Sequence, residues 1–211
     1  MTPYYEHNGI VIYNADCLEI LPHLEPVDLV LTDPLYGMNR HISGHKVISR
    51  FGSYRDDKEF DPTPLFEPGA NHIFWGANHF ANKLPNETRW LMWLKHDHSL
   101  FNLRSTSPFE LAWTDFGGAA RAFRFIWDGS IKQGRSARQQ HLHPNEKPVE
   151  LMSWCLFLAP EAKSVLDPFM GSGTTLVAAK QLGRKAIGIE IEEKYCEIAV
   201  RRLSQEVLPF K

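Results

Sequence analysis

The stretch SVLDPFMGSGTTLVAAKQLGRKAIGIEI, residues 164–191, decides the fold. An apolar run ends on Asp167, a glycine-rich turn follows, and TTLVAAKQL carries helical spacing up to a stop at Gly183. KAIGIEI then reads as a second strand and EKYCEIAVRRLSQ as a second helix. Strands joined by a crossover helix lie parallel, so this βαβα unit predicts an α/β protein with a parallel sheet.

Strand-like and helix-like segments also alternate upstream. GIVIYN (9–14) reads as a strand and CLEILPHL (17–24) as a short amphipathic helix. VDLVLTD (27–33) is almost continuously apolar, the pattern of a strand covered on both faces. NHIFWG (71–76) and RWLMWL (89–94) repeat that character, with a short helix expected between them. FELAWTDF (109–116) and RAFRFIW (121–127) are further strands, and a helix opens near Asn145 and Pro148 and stops at Pro160.

A length of 211 residues suits one compact domain, and 43% apolar residues can fill its core. No apolar run approaches a membrane span, and MTPYYEHNG lacks the apolar centre of a signal segment, so a soluble, cytoplasmic protein is expected. Cys17, Cys155 and Cys196 form no CxxC pair, which argues against a zinc cluster or disulfide framework. His96 and His98 flank Asp97 without a matching ligand cluster elsewhere; they read as a solvated loop, and no metal is expected.

Charge is unevenly spread. Residues 34–55 hold four basic side chains (Arg40, Lys46, Arg50, Arg55) and no acid. Residues 116–142 hold five (Arg121, Arg124, Lys132, Arg135, Arg138) against Asp128 alone. The whole chain is at −2, so the remainder is strongly acidic, and one basic surface can face a polyanion.

The turn DPFMGSGTT (167–175) brings backbone close to a ligand at a helix N-terminus. A P-loop needs GxxxxGK[ST], and a dinucleotide fingerprint needs glycine where Leu176 stands; neither fits. What remains is an acid at one strand end, Asp167, and a second, Glu190, at the end of the next, placed to accept from both hydroxyls of a ribose.

DPFMGSGTT followed by IGIEI and YCEIAVRRL resembles the cofactor-binding half of the amino-methyltransferases of DNA. The resemblance implies the doubly wound, mostly parallel α/β sheet of class I adenosylmethionine-dependent methyltransferases, here in circularly permuted motif order. It implies S-adenosylmethionine as cofactor and DNA as partner. Asp167, Phe169, Gly171, Ser172, Gly173 and Thr174 would then line the methionine side, and Glu190 would bind the ribose. HPNEKPVEL (143–151) resembles the family's HPxxKPxxL element, which sets Lys147 beside the cofactor. In IVIYNADCLEIL (10–21), Asp16 and the amide of Cys17 would meet the cofactor's adenine.

Asp33-Pro34-Leu35-Tyr36 resembles the family's (D/N/S)PP(Y/F/W) catalytic signature. An exocyclic amine is a poor nucleophile because its lone pair is delocalised into the ring. Asp33 and the Pro34 carbonyl can accept its two hydrogens, and Tyr36 offers a ring for stacking an extruded base, worth about 1–3 kcal/mol. Carbon-5 methylation would need a cysteine nucleophile, and none of the three cysteines follows a proline. Leu35 replaces the second proline of the signature, which loosens the loop by about 0.4–1 kcal/mol but leaves both acceptors. Similar proteins often carry an acid where Leu94 stands, a departure that no sequence feature explains.

Within the family, Asp at the first signature position accompanies adenine N6 more often, and Ser cytosine N4. The resemblance therefore implies an adenine-N6 enzyme, with cytosine-N4 transfer, or a catalytically weak binding protein on account of Leu35, as alternatives. Motif order is that of the β arrangement, and the resemblance covers nearly all of a single domain, residues 1–211. It is weakest at two basic insertions, about 38–60 and 117–143, which are expected to contact phosphates. Phe123, Phe125 and Trp127 are expected to face the core instead. The second insertion is short, so recognition is limited to a few base pairs or shared with a second copy in a homodimer.

Overall fold

β3 (Leu29–Thr32) and β4 (His72–Trp75) are buried along their whole length, which places them in the middle of a sheet covered on both faces. The computed structural model describes residues 1–34, 60–86, 89–95, 107–128, 131–132 and 146–205. Among these, nine strands form one sheet. Its order is β1 (Tyr5–His7), β2 (Ile10–Asn14), β11 (Lys185–Glu190), β10 (Ser164–Asp167), β3, β4, β6 (Phe109–Thr114), β5 (Arg89–Leu94) and β7 (Arg121–Arg124). Strands β2, β11, β10, β3 and β4 run parallel, and β6 is antiparallel to both β4 and β5. β8 (Trp127–Asp128) and β9 (Ile131–Lys132) form a separate two-stranded ribbon.

Alternation along the strands divides the core in two. Leu29, Leu31, Ile73 and Trp75 point to one face, where they meet Leu151 and Cys155 of the helix Val149–Leu158, Leu176 and Ala178 of the helix Thr174–Gln181, and Cys196 and Ala199 of the helix Glu193–Ser204. Val30, Phe74 and Leu166 point to the other, against Ile20, Leu21, Leu65 and Phe80. Each fully buried aliphatic or aromatic side chain contributes about 1.5–3 kcal/mol. The result is the parallel sheet that the βαβα unit predicts, in the doubly wound, mostly parallel form that the resemblance implies.

Three local expectations are modified. CLEILPHL makes only one α-helical turn, Cys17–Ile20, before a 3₁₀ turn at Leu21–His23, because Pro22 has no N–H to continue the ladder. The short helix expected between β4 and β5 is two 3₁₀ turns, Ala77–His79 and Ala81–Lys83. RAFRFIW leaves the sheet after Arg124, and Trp127 joins β8. Phe123 and Trp154 stack with ring centroids 5.3 Å apart, and Phe125 and Trp127 are buried. These aromatics do face the core, as their alternation suggests.

Candidate functional site

Parallel pairing sets the C-terminal ends of four neighbouring strands on one edge. The register aligns Glu190 with Asn14, Asp167 with Gly188, and Leu166 with Val30. Each end delivers one acid: Asp16 beyond β2, Glu190 closing β11, Asp167 closing β10 and Asp33 just beyond β3. With neighbouring strands about 4.8 Å apart, the row spans roughly 14 Å. From β10 the chain winds to β11 on one side, and from β3 to β4 on the other, so a crevice opens between them. A cavity of about 470 Å³ lies there, lined by all four acids together with Cys17, Glu146, Lys147, Phe169, Gly171, Ser172 and Thr174.

The glycine loop is held from below. Glu190 Oε2 accepts from the Gly171 amide at 3.0 Å, and Oε1 from the Glu192 amide at 2.9 Å. Burial pushes this carboxyl above the usual carboxylate range. Asp167 Oδ1 accepts from the Thr32 hydroxyl at 2.7 Å and from the Phe169 amide at 3.2 Å. Burial raises Asp167 to about 6 even against the hydrogen bonds from Thr175 and Thr32. Gly173 does not line the cavity. Its φ is +77°, and a Cβ there would stand 2.7 Å from that of Ala199, so glycine is required for the loop to lie on the last helix.

At the β3 end, Pro34 is buried and Asp33 half-buried. Lys147 donates to Asp33 Oδ2 and pairs with Glu110 Oε2 at 3.1 Å. Burial pushes the Asp33 carboxyl up, the Lys147 charge draws it back, and the Glu110 charge adds to the rise. Asp33 Oδ1 is buried and has no hydrogen-bond partner among the described residues. Lys147 thus lines the cavity, as its motif implies, but its ammonium is engaged by an acid 114 residues away.

The family model of the DNA methylases, covering N6 and N4 amino-methyltransferases, matches residues 70–201. The chain belongs to this amino-methyltransferase family. It is 43% identical over 234 residues to the type II methyltransferase M.HpaI of Haemophilus parainfluenzae, covering 91% of this chain and 73% of that protein. With the type II methyltransferase M2.LlaDCHI of Lactococcus lactis subsp. cremoris it shares 25% over 255 residues, covering 96% and 92%. The solved complex of M1.HpyAVI with SAM superposes with a TM-score of 0.56 at 27% identity, covering 92% of this chain and 99% of that one. The fold is accordingly the class I methyltransferase fold, and adenosylmethionine is the cofactor.

The methyltransferase's cavity suits that cofactor. Glu190 is pinned by two backbone amides, yet each oxygen keeps a lone pair for a vicinal diol. The neighbouring Ile191 is 66% exposed and offers apolar surface beside it. Asp16 caps the helix Cys17–Ile20 through the Leu18 amide at 2.9 Å and stands at the far end of the row. Among the described residues no cluster of His, Cys, Asp or Glu could hold a metal ion, and no helix is long and apolar enough to cross a membrane.

Of the basic residues, Arg121 and Arg124 are exposed on β7, one of the two edge strands of the described sheet. Lys132 falls on β9. Arg40, Lys46, Arg50, Arg55, Arg135 and Arg138 lie outside the described residues, as do Leu35, Tyr36, His96 and His98. Sequence reading misses Glu110, Lys95 and Arg202, all of which the methyltransferase draws towards its site. Their pairings depend on strand register and helix packing, which no local motif encodes.

Proposed function

We propose that this DNA methyltransferase acts on N6 of adenine. The observation that carries the reading is Asp33 Oδ1, a buried acceptor without a partner among the described residues, on a cavity-lining side chain at the end of β3. The cofactor supplies an electrophilic methyl group. Asp33 Oδ1 and the Pro34 carbonyl accept the two hydrogens of the amine, which turns its lone pair out of conjugation and towards that methyl group. One nitrogen–carbon bond forms as the cofactor's sulfur–methyl bond breaks to leave a neutral thioether, and the amine's proton is released by way of Asp33 to water. Acceptors in a site shielded from water are worth more than the same groups in solution, because they need no reorganisation.

In this reading Glu190 binds the ribose, Asp16 and the Cys17 amide hold the adenine end, and Asp167 with Phe169, Gly171, Ser172 and Thr174 surrounds the methionine end. Tyr36 stacks the extruded base, and Leu35 stands where the family's signature has its second proline. The basic residues named above pair with phosphates. Adenine is favoured over cytosine by the carboxylate at the first signature position. Incubation with labelled adenosylmethionine and unmethylated genomic DNA, followed by nucleoside analysis, tests the choice. N6-methyladenine is the expected product; N4-methylcytosine would reassign the base, and no product would leave a binding protein.

A further inference from the structure

Glu110 is the second residue of β6 and pairs in register with Trp93 of β5. It does not line the cavity, yet it is tied to it through a chain of alternating charges. Its Oε2 meets Lys147 at 3.1 Å and its Oε1 meets Lys95 at 2.7 Å. Lys147 continues the chain to Asp33 Oδ2. The Lys95 ammonium lies 5.7 Å over the Trp93 ring, a second restraint on the outer end. Burial opposes the charge on Glu110, but Lys147 and Lys95 outweigh it and hold the carboxyl at about 2.

We infer that Glu110 is a positioning residue for methyl transfer: it anchors Lys147 so that Lys147 grips one oxygen of Asp33 and leaves the other for the target amine. The inference rests on Asp33 being the acceptor for that amine, and it is independent of which base carries it. A lysine ammonium is a flexible point charge with three donors. Freed from Glu110, it can settle across both carboxylate oxygens and occupy the acceptor that the amine needs. The charged groups acting on Asp33 are Lys147, Glu110, Lys95 and, from β10, Asp167. Removing the Glu110 charge favours the Asp33 carboxylate, whereas removing the Lys147 charge disfavours it.

The test is the pH profile of kcat, with KM for adenosylmethionine, for the parent, Glu110→Gln, Glu110→Asp and Lys147→Gln, on unmethylated genomic DNA. Glu110→Gln is expected to lower kcat by roughly 10- to 100-fold, the scale of an ångström-level misplacement. KM is expected to stay within about twofold, because the lost interaction does not bind cofactor. The acid limb moves to lower pH in Glu110→Gln and to higher pH in Lys147→Gln. Glu110→Asp keeps the charge, so its limb stays with the parent and its kcat falls between those of the parent and Glu110→Gln. A merely structural glutamate would cost folded protein without moving the limb, and an unmoved limb in both charge variants overturns the inference. Equal behaviour of Glu110→Asp and Glu110→Gln overturns it as well. A parent that methylates no base overturns the role of Asp33 itself, and the inference with it.

Discussion

Arg202, on the last helix, donates to the Ser172 carbonyl at 2.8 Å and to the Ser172 hydroxyl at 2.9 Å, so the C-terminal helix holds the glycine loop by its middle. The same nitrogen reaches the Thr174 hydroxyl at 3.1 Å, and the other terminal nitrogen stands 3.8 Å from the buried Glu146 carboxylate. The loop therefore depends on a residue 30 positions beyond it. Arg202→Met is expected to destabilise the fold by about 3 kcal/mol, since a buried carboxylate loses a counter-charge. Cofactor affinity is expected to fall with it. Thermal unfolding with and without adenosylmethionine checks both, and a variant that unfolds and binds like the parent contradicts the role.

Burial of Asp167 costs the cofactor-free fold stability. Its carboxyl is raised from 3.8 to about 6, with burial the largest cause. The cost of ionising it in the fold is absent below about pH 4, where both states are protonated, and complete above about pH 6. Asp167→Asn is expected to stabilise the cofactor-free protein at pH 8 by at most about 3 kcal/mol and to change little at pH 4. Affinity for adenosylmethionine should fall at the same time, through loss of the proposed partner for the cofactor's cationic end. Denaturant titrations at the two pH values, with calorimetry, separate the effects; a variant less stable than the parent at pH 8 contradicts the assignment.

Glu190→Ala removes the proposed acceptor for two ribose hydroxyls and is expected to weaken cofactor binding by about 1–3 kcal/mol. Glu190 also receives the Gly171 amide, so part of that loss comes from a loosened loop. Glu190→Gln retains an acceptor for the amide and should lose less. Calorimetry showing unchanged affinity in both variants would remove Glu190 from the ribose site.

The parallel unit from Ser164 to Ser204 is legible in the sequence because its strands are short apolar runs ending in acids and its turns contain glycine. The N-terminal hairpin is less so. Asn8 and Gly9, at φ 48° and 77°, form the tight turn that an Asn-Gly pair favours, but the strand before them, Tyr5–His7, is short, polar and largely exposed. Lys147 is legible as a motif residue, yet its partners Asp33 and Glu110 come from two other strands, and only the fold brings them together. Gly173 looks like a ligand-binding glycine, whereas packing against Ala199 is what excludes a side chain there.

Arg121 and Arg124 sit exposed on an edge strand, where they can track a phosphate backbone. Replacing both by Ala is expected to weaken DNA binding and lower the salt slope by about one unit for each phosphate no longer neutralised. Variants at Lys132, Arg135 and Arg138 extend the test along the same segment. Fluorescence anisotropy over a salt series measures it; slopes equal to the parent's would make the segment an ordinary solvated surface.

The most direct measurement is methyl transfer by Asp33→Ala beside the parent and Leu35→Pro, with nucleoside analysis of the DNA. Because the Asp33 carboxyl is pushed up mainly by desolvation, the parent's activity should fall away on the acid side at a higher pH than an ordinary carboxylate would give. Asp33→Ala is expected to fold, to retain most of its cofactor affinity and to transfer no methyl group. Leu35→Pro is expected to equal or exceed the parent, since it stiffens the loop without touching either acceptor. N6-methyladenine from the parent and none from Asp33→Ala is the expected result. Full methylation of an amine-bearing base by Asp33→Ala would contradict the proposed chemistry.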